Sequence, residues 1–282
     1  MKHTVLVPAW RREDMLHACL TRLSKAANED VTVVVSLDRR GTPECREVVE
    51  SFSGEFSNIY LRVMHFHPFH GNSYNVLSGV KDALKLDGDL IHVVEDDIMV
   101  SLDYFEYHEA AHEAAPECFA VSACRNQNLQ GDPPAAAYLH PSYQSLGVSF
   151  RPEIAEKAAQ HNKPVYYGDM ITYCKRMWPW SDIPPGHAEQ DGVFNRIREA
   201  ADMQTVYPEE PRAFHAGFYG YNRTGTKLVG PVEERSAKIL AMGTDEMNAM
   251  AGLMKDHEVI DLDERHAVAS VKEALTKRTE AA

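Results

Sequence analysis

The 282-residue sequence contains no apolar run that approaches the roughly 18 residues needed for a membrane-spanning helix. Its N-terminus is polar within three residues and then has the pattern of a strand, unlike a signal peptide. The five cysteines are widely spaced and form no Cys-x-x-Cys pair, which disfavours both a disulfide scaffold and a zinc site. We therefore expect a cytoplasmic protein with free thiols.

Positive charge is scarce, because 29 lysines and arginines face 42 aspartates and glutamates, for a formal net charge of -13. This charge disfavours a protein that holds nucleic acid by a general electrostatic field. A local basic groove is still compatible with it. Arg11, Arg12, Arg39 and Arg40 form such a groove if the first two strands lie side by side, and solvated surface arginines are the alternative for the second pair.

The remaining composition is ordinary, with 44% apolar and 25% charged residues. Such a chain can bury a sizeable core. Its length fits one large α/β domain, or one domain with a small appendage.

The first half of the sequence alternates between strand and helix patterns. The predicted strands are residues 4–9, 31–37, 59–66, 89–94 and 119–123. The predicted helices are residues 14–27, 44–52, 73–86 and 103–115. This alternation predicts an α/β fold with a mostly parallel sheet flanked by helices.

The second half is more irregular. Residues 125–143 have a loop-like composition with a Gly-Asp-Pro-Pro breaker at 131–134, and 178–186 form a second proline-rich loop. Strands are predicted at 147–150 and 203–207, and helices from Pro152 and over about 189–201. Residues beyond 230 are charge-mixed and helix-forming, which predicts a C-terminal helical appendage.

Three adjacent carboxylates, Glu95, Asp96 and Asp97, directly follow the fourth predicted strand. Open α/β sheets bind ligands outside the carboxyl ends of their strands. Adjacent carboxylates repel one another and are costly to desolvate, so a cation would stabilise them. Oxygen ligands select Mg²⁺ or Mn²⁺, whose shell substrate phosphates often complete. The alternative is an acidic loop that caps the next helix, since Asp103 lies near its start.

Other strand ends carry residues suited to a nucleotide. Asp38 ends the second strand, where its carboxylate can accept hydrogen bonds from a base or a ribose hydroxyl. Pro8, Trp10 and Arg11 lie at the end of the first strand and offer an aromatic surface and a cation. Asn72 opens the third helix, whose free N–H groups can face a donor. Each feature alone is compatible with ordinary turn chemistry, but together they predict a nucleotide site.

Several segments resemble a known family. The stretch VVEDDIMVSLDYFEYHEAA, followed by FAVSACRNQN, is similar to the inverting N-acetylglucosaminyltransferase I family, which has the GT-A fold. The segments VSLD and VPAWRR match the donor side of that family, and SLGVSFRPEI, EQDG and FHAGFYGYN match more loosely. The resemblance covers roughly residues 4–222 and implies a metal-dependent, inverting glycosyltransferase that uses a UDP-sugar. That family is Golgi-anchored, whereas this sequence shows no anchor, so we expect a stand-alone bacterial or phage member.

The resemblance also implies an organisation and roles for residues. Residues 1–125 would be the donor-binding half, 126–229 the acceptor and catalytic half of the same GT-A domain, and 230–282 the helical appendage. Asp97 would ligate Mn²⁺ or Mg²⁺, Asp96 would hold the ribose or sugar, and Glu95 would support the site. Asp38 would bind the base, expected to be uracil, with Arg11 nearby.

Two further candidate site residues, Asp191 and His215, lie in the second half of the sequence. Asp191 would be the general base, although the WDDW block of the family is EQDG here. Its alternative role is that of an acid favoured by the helix N-terminus. His215 lies in a glycine- and aromatic-rich segment, where GT-A enzymes often place a late histidine ligand of the metal. A structural histidine is the alternative.

Further candidates lie in the second half. Asp169 and Glu189 are reserve bases. Trp178 and Trp180 flank a proline and could stack on a sugar as part of a lid, or anchor the loop by burial.

Three other functions are compatible with parts of the sequence. The same chemistry on hydroxymethylated pyrimidines of DNA would use base flipping, with phosphate contacts from Arg39, Arg40, Arg125, Arg151 and Lys175. A nucleotidyltransferase would need a glycine-rich loop after the first strand, and residues 8–12 contain no glycine. A non-catalytic nucleotide-sugar binder is disfavoured by the intact acidic triplet. The sugar, the acceptor and the oligomeric state stay open.

Overall fold

The computed structural model describes residues 1–38, 42–63, 71–126, 129, 133, 135–184, 186–220, 223–253 and 256–279. The strands are β1 (His3–Ala9), β2 (Val31–Leu37), β3 (Asn58–Val63), β4 (Leu90–Val93), β5 (Ile98–Val100), β6 (Ala120–Ser122), β7 (Ala137–His140), β8 (Val148–Phe150), β9 (Thr205–Pro208), β10 (Ala213–His215), β11 (Tyr219–Gly220) and β12 (Arg223–Thr224). The helices are α1 (Glu13–Ala26), α2 (Pro43–Ser51), α3 (Asn72–Ala83), α4 (Tyr104–Ala114), α5 (Pro152–Ala159), α6 (Pro164–Gly168), α7 (Met170–Met177), α8 (Gln190–Ala200), α9 (Val232–Ala241), α10 (Thr244–Ala251) and α11 (Val268–Thr279). A 3₁₀ turn, Leu84–Leu86, continues α3.

The central sheet has eight strands in the order β3-β2-β1-β4-β8-β6-β9-β7. β1 lies between β2 and β4 and pairs with both in parallel, so that His3 is opposite Val31 and Leu90. β3 extends this parallel half, whereas β8 pairs antiparallel with both β4 and β6. The predicted α/β architecture of the GT-A type, with a mostly parallel sheet flanked by helices, is confirmed.

The core lies on both faces of this sheet. Side chains alternate between faces along a strand, so Val5 and Val7 of β1 pack with α1 while Leu6 packs with α3 on the other face. Gly79 of α3 lets that helix come close to the sheet, because a Cβ at this position would lie 2.6 Å from Leu6 Cδ1. All seven residues of β1 are buried, as its continuous apolar pattern predicts for a central parallel strand.

The prediction that residues 125–143 form only a loop is wrong, because β7 lies within this range. β7 pairs antiparallel with β9 at one edge of the sheet. β7 is only four residues long and follows a glycine- and proline-rich segment. Its short strand pattern was therefore less evident in the sequence than the loop signal beside it. Most of that breaker, Gly131, Asp132 and Pro134, lies outside the described residues, as do Arg39, Arg40, residues 64–66 of the third predicted strand, and Tyr221 and Asn222.

Two three-residue strands, β5 and β10, were also absent from the predicted elements, as were the two-residue strands β11 and β12. β5 directly follows the acidic triplet and pairs antiparallel with β10, which places His215 opposite Ile98. Each strand has three residues, too few to give a periodic pattern. Helices α6 and α7 were likewise unpredicted, since they fall between a predicted helix and a proline-rich loop.

The segment after Gly230 packs against the sheet domain. Helix α9 contacts α1, and α11 contacts α4 and β7. Ile239 is fully buried in the core that α1 shares, and Arg235 donates hydrogen bonds to Glu13 and Asp14 at the start of α1. None of the helices in the described ranges has the length and apolar character required to cross a bilayer.

Candidate active site

The carboxyl ends of β1, β2 and β4 meet at one edge of the sheet, as parallel neighbours must. The Trp10 N–H, just after β1, donates to Asp96 Oδ2 at 3.1 Å. The Asp38 N–H, just after β2, donates to Ala9 O at 3.1 Å. The structure therefore brings together the strand-end residues that the sequence indicated, Trp10, Asp38 and the acidic triplet.

Arg12 is the residue of this site that the sequence reasoning missed. Its guanidinium donates to Asp96 Oδ1 and to Asp97 Oδ2. The chain reaches this position through a left-handed turn at Arg11, whose φ is 56°. The Arg11 side chain is exposed and lies over the Trp10 ring, with 5.2 Å from Cζ to the ring centroid. The sequence indicated Arg12 only as part of a basic groove, because its contacts with Asp96 and Asp97 depend on that turn.

Burial and charge give the three acidic residues different ionisation. Burial is the main reason that the pKa of Glu95 rises to about 8, and the charges of Asp97 and Asp191 add to it. Burial also opposes ionisation of Asp97, but Arg12 and His215 outweigh it and hold the pKa of Asp97 well below its usual range. At neutral pH Asp97 is therefore the firmly ionised member of the triplet, while Glu95 is largely protonated.

The neighbouring carboxylates also shift the pKa of Arg12. Burial opposes its charge, and the carboxylates of Asp96 and Asp97 outweigh that cost and raise the pKa of Arg12. Asp96 is 1% and Asp97 3% exposed, whereas the Arg12 side chain is 20% exposed, so water reaches this ion cluster only from the side of Arg12. Removing one member of such a buried pair leaves the others uncompensated.

His215 reaches Asp97 through the pairing of β10 with β5. The Ala216 N–H donates to Asp97 O at 2.7 Å, which continues the ladder beyond β10. The His215 Nε2 atom lies 3.1 Å from Asp97 Oδ2. The structure thus joins the two residues that were predicted as metal ligands, although 118 positions separate them.

The donor atoms of Asp97 and His215 are of the kinds that bind a divalent cation. A Cβ on Gly217 would lie 2.2 Å from Asp97 Oδ2 and 2.6 Å from His215 Nε2, so both polar atoms converge on room that only glycine leaves free. Asp97 Oδ1 is buried and has no hydrogen-bond partner in the part of the chain that the structure describes. Within the same ranges no cluster of three or more His, Cys, Asp or Glu residues could hold a metal. Two protein ligands with phosphates completing the shell are nevertheless typical of Mg²⁺ sites.

Asp191 lies in the first turn of α8. Gln190 fixes this helix end, because its N–H donates to Ser73 Oγ, which in turn donates to Gln190 Oε1. The Asp191 side chain keeps access to solvent, yet the protein around it desolvates the carboxylate and raises its pKa to about 6. The Ser145 hydroxyl opposes this shift by hydrogen bonding, and Glu189 adds to it. The charge of Asp191 also acts on Glu95, so the two carboxyl groups belong to one site.

The remaining predicted donor residues occupy different positions. Asp38 is buried and accepts the Gly71 N–H at 3.1 Å, where Gly71 has a φ of 97° that favours glycine. Asn72 is the exposed first residue of α3. Pro8 is buried within β1 opposite Ser36, so the strand end is formed by the residues that follow it.

The reserve candidates have structural contacts. Asp169 caps α7, accepting the Thr172 N–H at 3.0 Å, and Glu189 precedes α8 as its exposed N-cap. Trp178 is buried against His161, with ring centroids 4.8 Å apart, whereas Trp180 is 57% exposed.

Two of the arginines that were predicted to contact DNA form contacts within the chain instead. Arg151 donates to His112 O at 2.6 Å. Arg125 donates to Glu209 O at 3.2 Å and lies 3.6 Å from Glu258. No feature of the described residues supports the DNA hypothesis.

Several solved structures resemble this chain in fold at low sequence identity. The Staphylococcus aureus TarS 1–349 structure in complex with UDP-GlcNAc aligns with 99% of this chain and 71% of its own, at a TM-score of 0.52 and 14% identity. Another crystal structure of TarS 1–349 aligns with 76% of this chain, at a TM-score of 0.47 and 14% identity, and there the chain spans 59% of the TarS fragment. The mannosyltransferase PcManGT from Pyrobaculum calidifontis, in complex with GDP-Man and Mn²⁺, aligns with 99% of this chain and 79% of its own, at 0.44 and 13% identity.

Sequence comparisons identify the family. No curated protein sequence matches this chain. The profile of the family described as "Glycosyltransferase like family 2" matches residues 2–145, slightly more than half of the sequence. The matched range contains β1 to β4, Arg12 and the acidic triplet. The chain therefore belongs to the glycosyltransferase-like family 2.

Proposed function

We propose that this protein transfers a sugar from a nucleotide-sugar, expected to be a UDP-sugar, to an acceptor hydroxyl with inversion at the anomeric carbon. The observation that carries the proposal is the position of Asp97 at the shared strand edge, where Arg12 and His215 contact its carboxylate and the charge of Asp191 acts on the same acidic triplet. Family membership supports the reaction class. TarS, which shares the fold, was crystallised with UDP-GlcNAc, and this supports a uridine nucleotide. The narrower resemblance to the N-acetylglucosaminyltransferase I family stays a prediction.

The donor would lie along the strand edge, with its diphosphate next to Asp97 and Arg12. Asp97 and His215 are the residues that would hold Mn²⁺ or Mg²⁺, which supplies charge neutralisation for the departing diphosphate. The Arg12 guanidinium adds a fixed positive charge at the same place and can donate to phosphate oxygens. Trp10, Asp38 and Asn72 surround the position left for the nucleoside.

Asp191 would act on the acceptor. The acceptor oxygen attacks the anomeric carbon, the bond from that carbon to the diphosphate oxygen breaks, and the hydroxyl proton passes to the Asp191 carboxylate. A pKa of about 6 suits this role, because the group is mostly ionised at pH 7 and still basic enough to take a proton. A base on the face opposite the leaving group would give inversion, and this is the position that we propose for Asp191.

Two variants test this assignment separately. With Asp97→Asn we expect thermal stabilisation by UDP plus Mn²⁺ to disappear, since the ionised ligand is lost. With Asp191→Asn we expect UDP binding to persist while donor turnover falls by about 10²–10⁴-fold, the usual contribution of a general base. Asp169→Asn is the matched control, because this exposed helix cap lies outside the proposed site.

The pH profile adds an independent readout. Turnover by the wild type should rise with pH through about 6, as Asp191 loses its proton, and level off above 7. Full turnover by Asp191→Asn, or UDP stabilisation of Asp97→Asn equal to that of the wild type, would contradict the proposal. A panel of nucleoside diphosphates in the same thermal assay would identify the base.

A further inference from the structure

A line of polar contacts connects the acidic triplet to the segment after α10. Asp97 Oδ2 lies 3.1 Å from His215 Nε2, and His215 Nδ1 lies 3.1 Å from Arg223 NH2. Arg223 NH1 in turn donates to Asp256 Oδ1 at 2.7 Å. Both ring nitrogens of His215 are therefore engaged, one by the carboxylate and the other by a guanidinium.

The guanidinium fixes the proton on the His215 ring. Arginine is always charged and offers only donors, so His215 Nδ1 must be the acceptor of the Arg223 contact. A neutral imidazole that accepts at Nδ1 carries its proton on Nε2, and this proton is directed at Asp97 Oδ2. In this arrangement His215 is a donor to Asp97 and has no free lone pair on Nε2.

Binding of a cation by Nε2 requires the opposite tautomer. The lone pair must then be on Nε2 and the proton on Nδ1, where it would face the N–H groups of Arg223. We propose that Arg223 is a positioning residue that keeps His215 in its non-coordinating tautomer, so that the Arg223–His215 contact and cation binding by His215 exclude each other. The proposal rests on the proposed function for the existence of a cation site.

The segment that contains Asp256 holds Arg223 and His215 in this arrangement. His257 Nδ1 donates to His215 O at 2.7 Å, and the two rings stack with centroids 5.6 Å apart. The side chain of Asn248 in α10 accepts a hydrogen bond from the His257 N–H and donates one to His257 O, each at 3.1 Å. These contacts hold the backbone of His215 in place, so we expect Arg223 to leave His215 by rotation of the Arg223 side chain.

The contact has a consequence for the order of binding. Free Mn²⁺ must displace Arg223 and meets the positive charges of Arg12 and Arg223, so it binds weakly to the protein alone. A nucleoside diphosphate brings phosphate oxygens to which these guanidinium groups can donate instead. We therefore expect the cation to enter together with the nucleotide.

The test compares the full-length wild type with Arg223→Met and Arg223→Lys in two measurements. ¹⁵N NMR of labelled histidine reports the tautomer of His215, and electron paramagnetic resonance titration reports the affinity for Mn²⁺ without nucleotide. The wild type and Arg223→Lys should show the Nε2–H tautomer and weak binding, since lysine also donates. Arg223→Met should populate the Nδ1–H tautomer and bind Mn²⁺ about tenfold more tightly, in line with the usual size of effects on residues behind a metal ligand.

The controls separate the tautomer from charge and from folding. Arg265→Met removes an arginine that pairs with Glu106 on the surface, and it should leave both measurements unchanged. In the His215→Ala background, Arg223→Met should tighten Mn²⁺ binding less, because only the charge is then lost. An equal effect in that background, an Nδ1–H tautomer in the wild type, or no tightening in Arg223→Met would overturn the proposal. Absence of Mn²⁺ binding even with UDP would instead refute the cation site of the proposed function, while the NMR result would still decide the role of Arg223.

Discussion

Gly217 lies where the side chains of Asp97 and His215 converge. In Gly217→Ala the added methyl group would come within 2.2 Å of Asp97 Oδ2 and 2.6 Å of His215 Nε2, which forces the two apart. We expect the stabilisation by UDP plus Mn²⁺ to be lost, and the free energy of unfolding to fall by about 1–3 kcal/mol from overpacking. Thermal shift with ligand and chemical denaturation without it measure the two effects.

Gly168→Ala is the matched control for this change, since a Cβ there would meet nothing within 4 Å. It should leave both measurements unchanged. A Gly217→Ala protein that binds UDP and Mn²⁺ like the wild type would show that Asp97 and His215 do not need to meet at this point.

Site residues that directly follow predicted strands could be identified from the sequence, whereas site residues that are positioned by loops could not. Asp38 and the acidic triplet follow apolar strands, so the rule for parallel sheets located them. Arg12 needs the left-handed turn at Arg11, and no composition pattern indicates such a turn at a non-glycine residue. Arg223 depends on a contact with Asp256, which the sequence places 33 positions away.

A set of buried histidines lies where α4 packs on the sheet. His108 Nδ1 and His112 Nε2 both contact Ser149 Oγ of β8, at 2.6 and 2.9 Å. His92 of β4 contacts His3 of β1 at 3.0 Å. Burial is the main cause that lowers the pKa of each ring. Neighbouring histidines and Arg151 contribute, and the pKa of His112 falls to about 3.

These histidines make stability depend on pH. A ring whose pKa is lower in the folded than in the unfolded state takes up its proton mainly on unfolding. Its contribution to the free energy of unfolding is therefore complete above about pH 6.5 and is lost as the pH falls toward 3. We expect the free energy of unfolding to decrease from pH 7 to pH 5, by up to about 1.4 kcal/mol per pH unit for each such ring. Urea denaturation at several pH values measures the slope.

His112→Gln should make that slope shallower, because one titrating group is removed. His187→Gln, which changes an exposed histidine, should leave the slope unchanged. A slope that His112→Gln does not alter would show that the acid sensitivity arises elsewhere.

Long periodic elements were predictable and very short ones were not. The strands and helices of the first half agree with prediction to within a few residues, because seven-residue apolar strands and amphipathic helices carry a clear period. β5 and β10 have three residues each and depend on pairing with each other rather than on propensity. Since this pairing delivers His215 to Asp97, the sequence suggested His215 only by analogy with related enzymes.

The C-terminal helices complete two parts of the core. Ile239 of α9 and Met247 of α10 are fully buried with α1, and Val271 and Leu275 of α11 are 1% exposed beside α4. Full burial of each such side chain is worth about 1.5–3 kcal/mol. Together they approach the whole stability of a typical domain, about 5–15 kcal/mol.

We therefore predict that the fragment 1–230 does not unfold cooperatively, as judged by near-ultraviolet circular dichroism during urea titration. Within the full chain, Ile239→Ala should lower the free energy of unfolding by about 2–5 kcal/mol. Leu253→Ala, which changes an 87% exposed leucine, should leave it unchanged. A fragment with a cooperative transition at the midpoint of the full chain would instead identify residues 230–282 as an independent appendage.

The pairing of β5 with β10 also sets an order of events during synthesis. Asp97 and His215 are 118 positions apart, so at usual translation rates the histidine is made on the order of ten seconds after the aspartate. Arg12, by contrast, precedes the acidic triplet and is present as soon as β4 emerges. The nascent chain can therefore neutralise its carboxylates with its own arginine while the partner strand is still missing, and the complete site forms only after synthesis has passed His215.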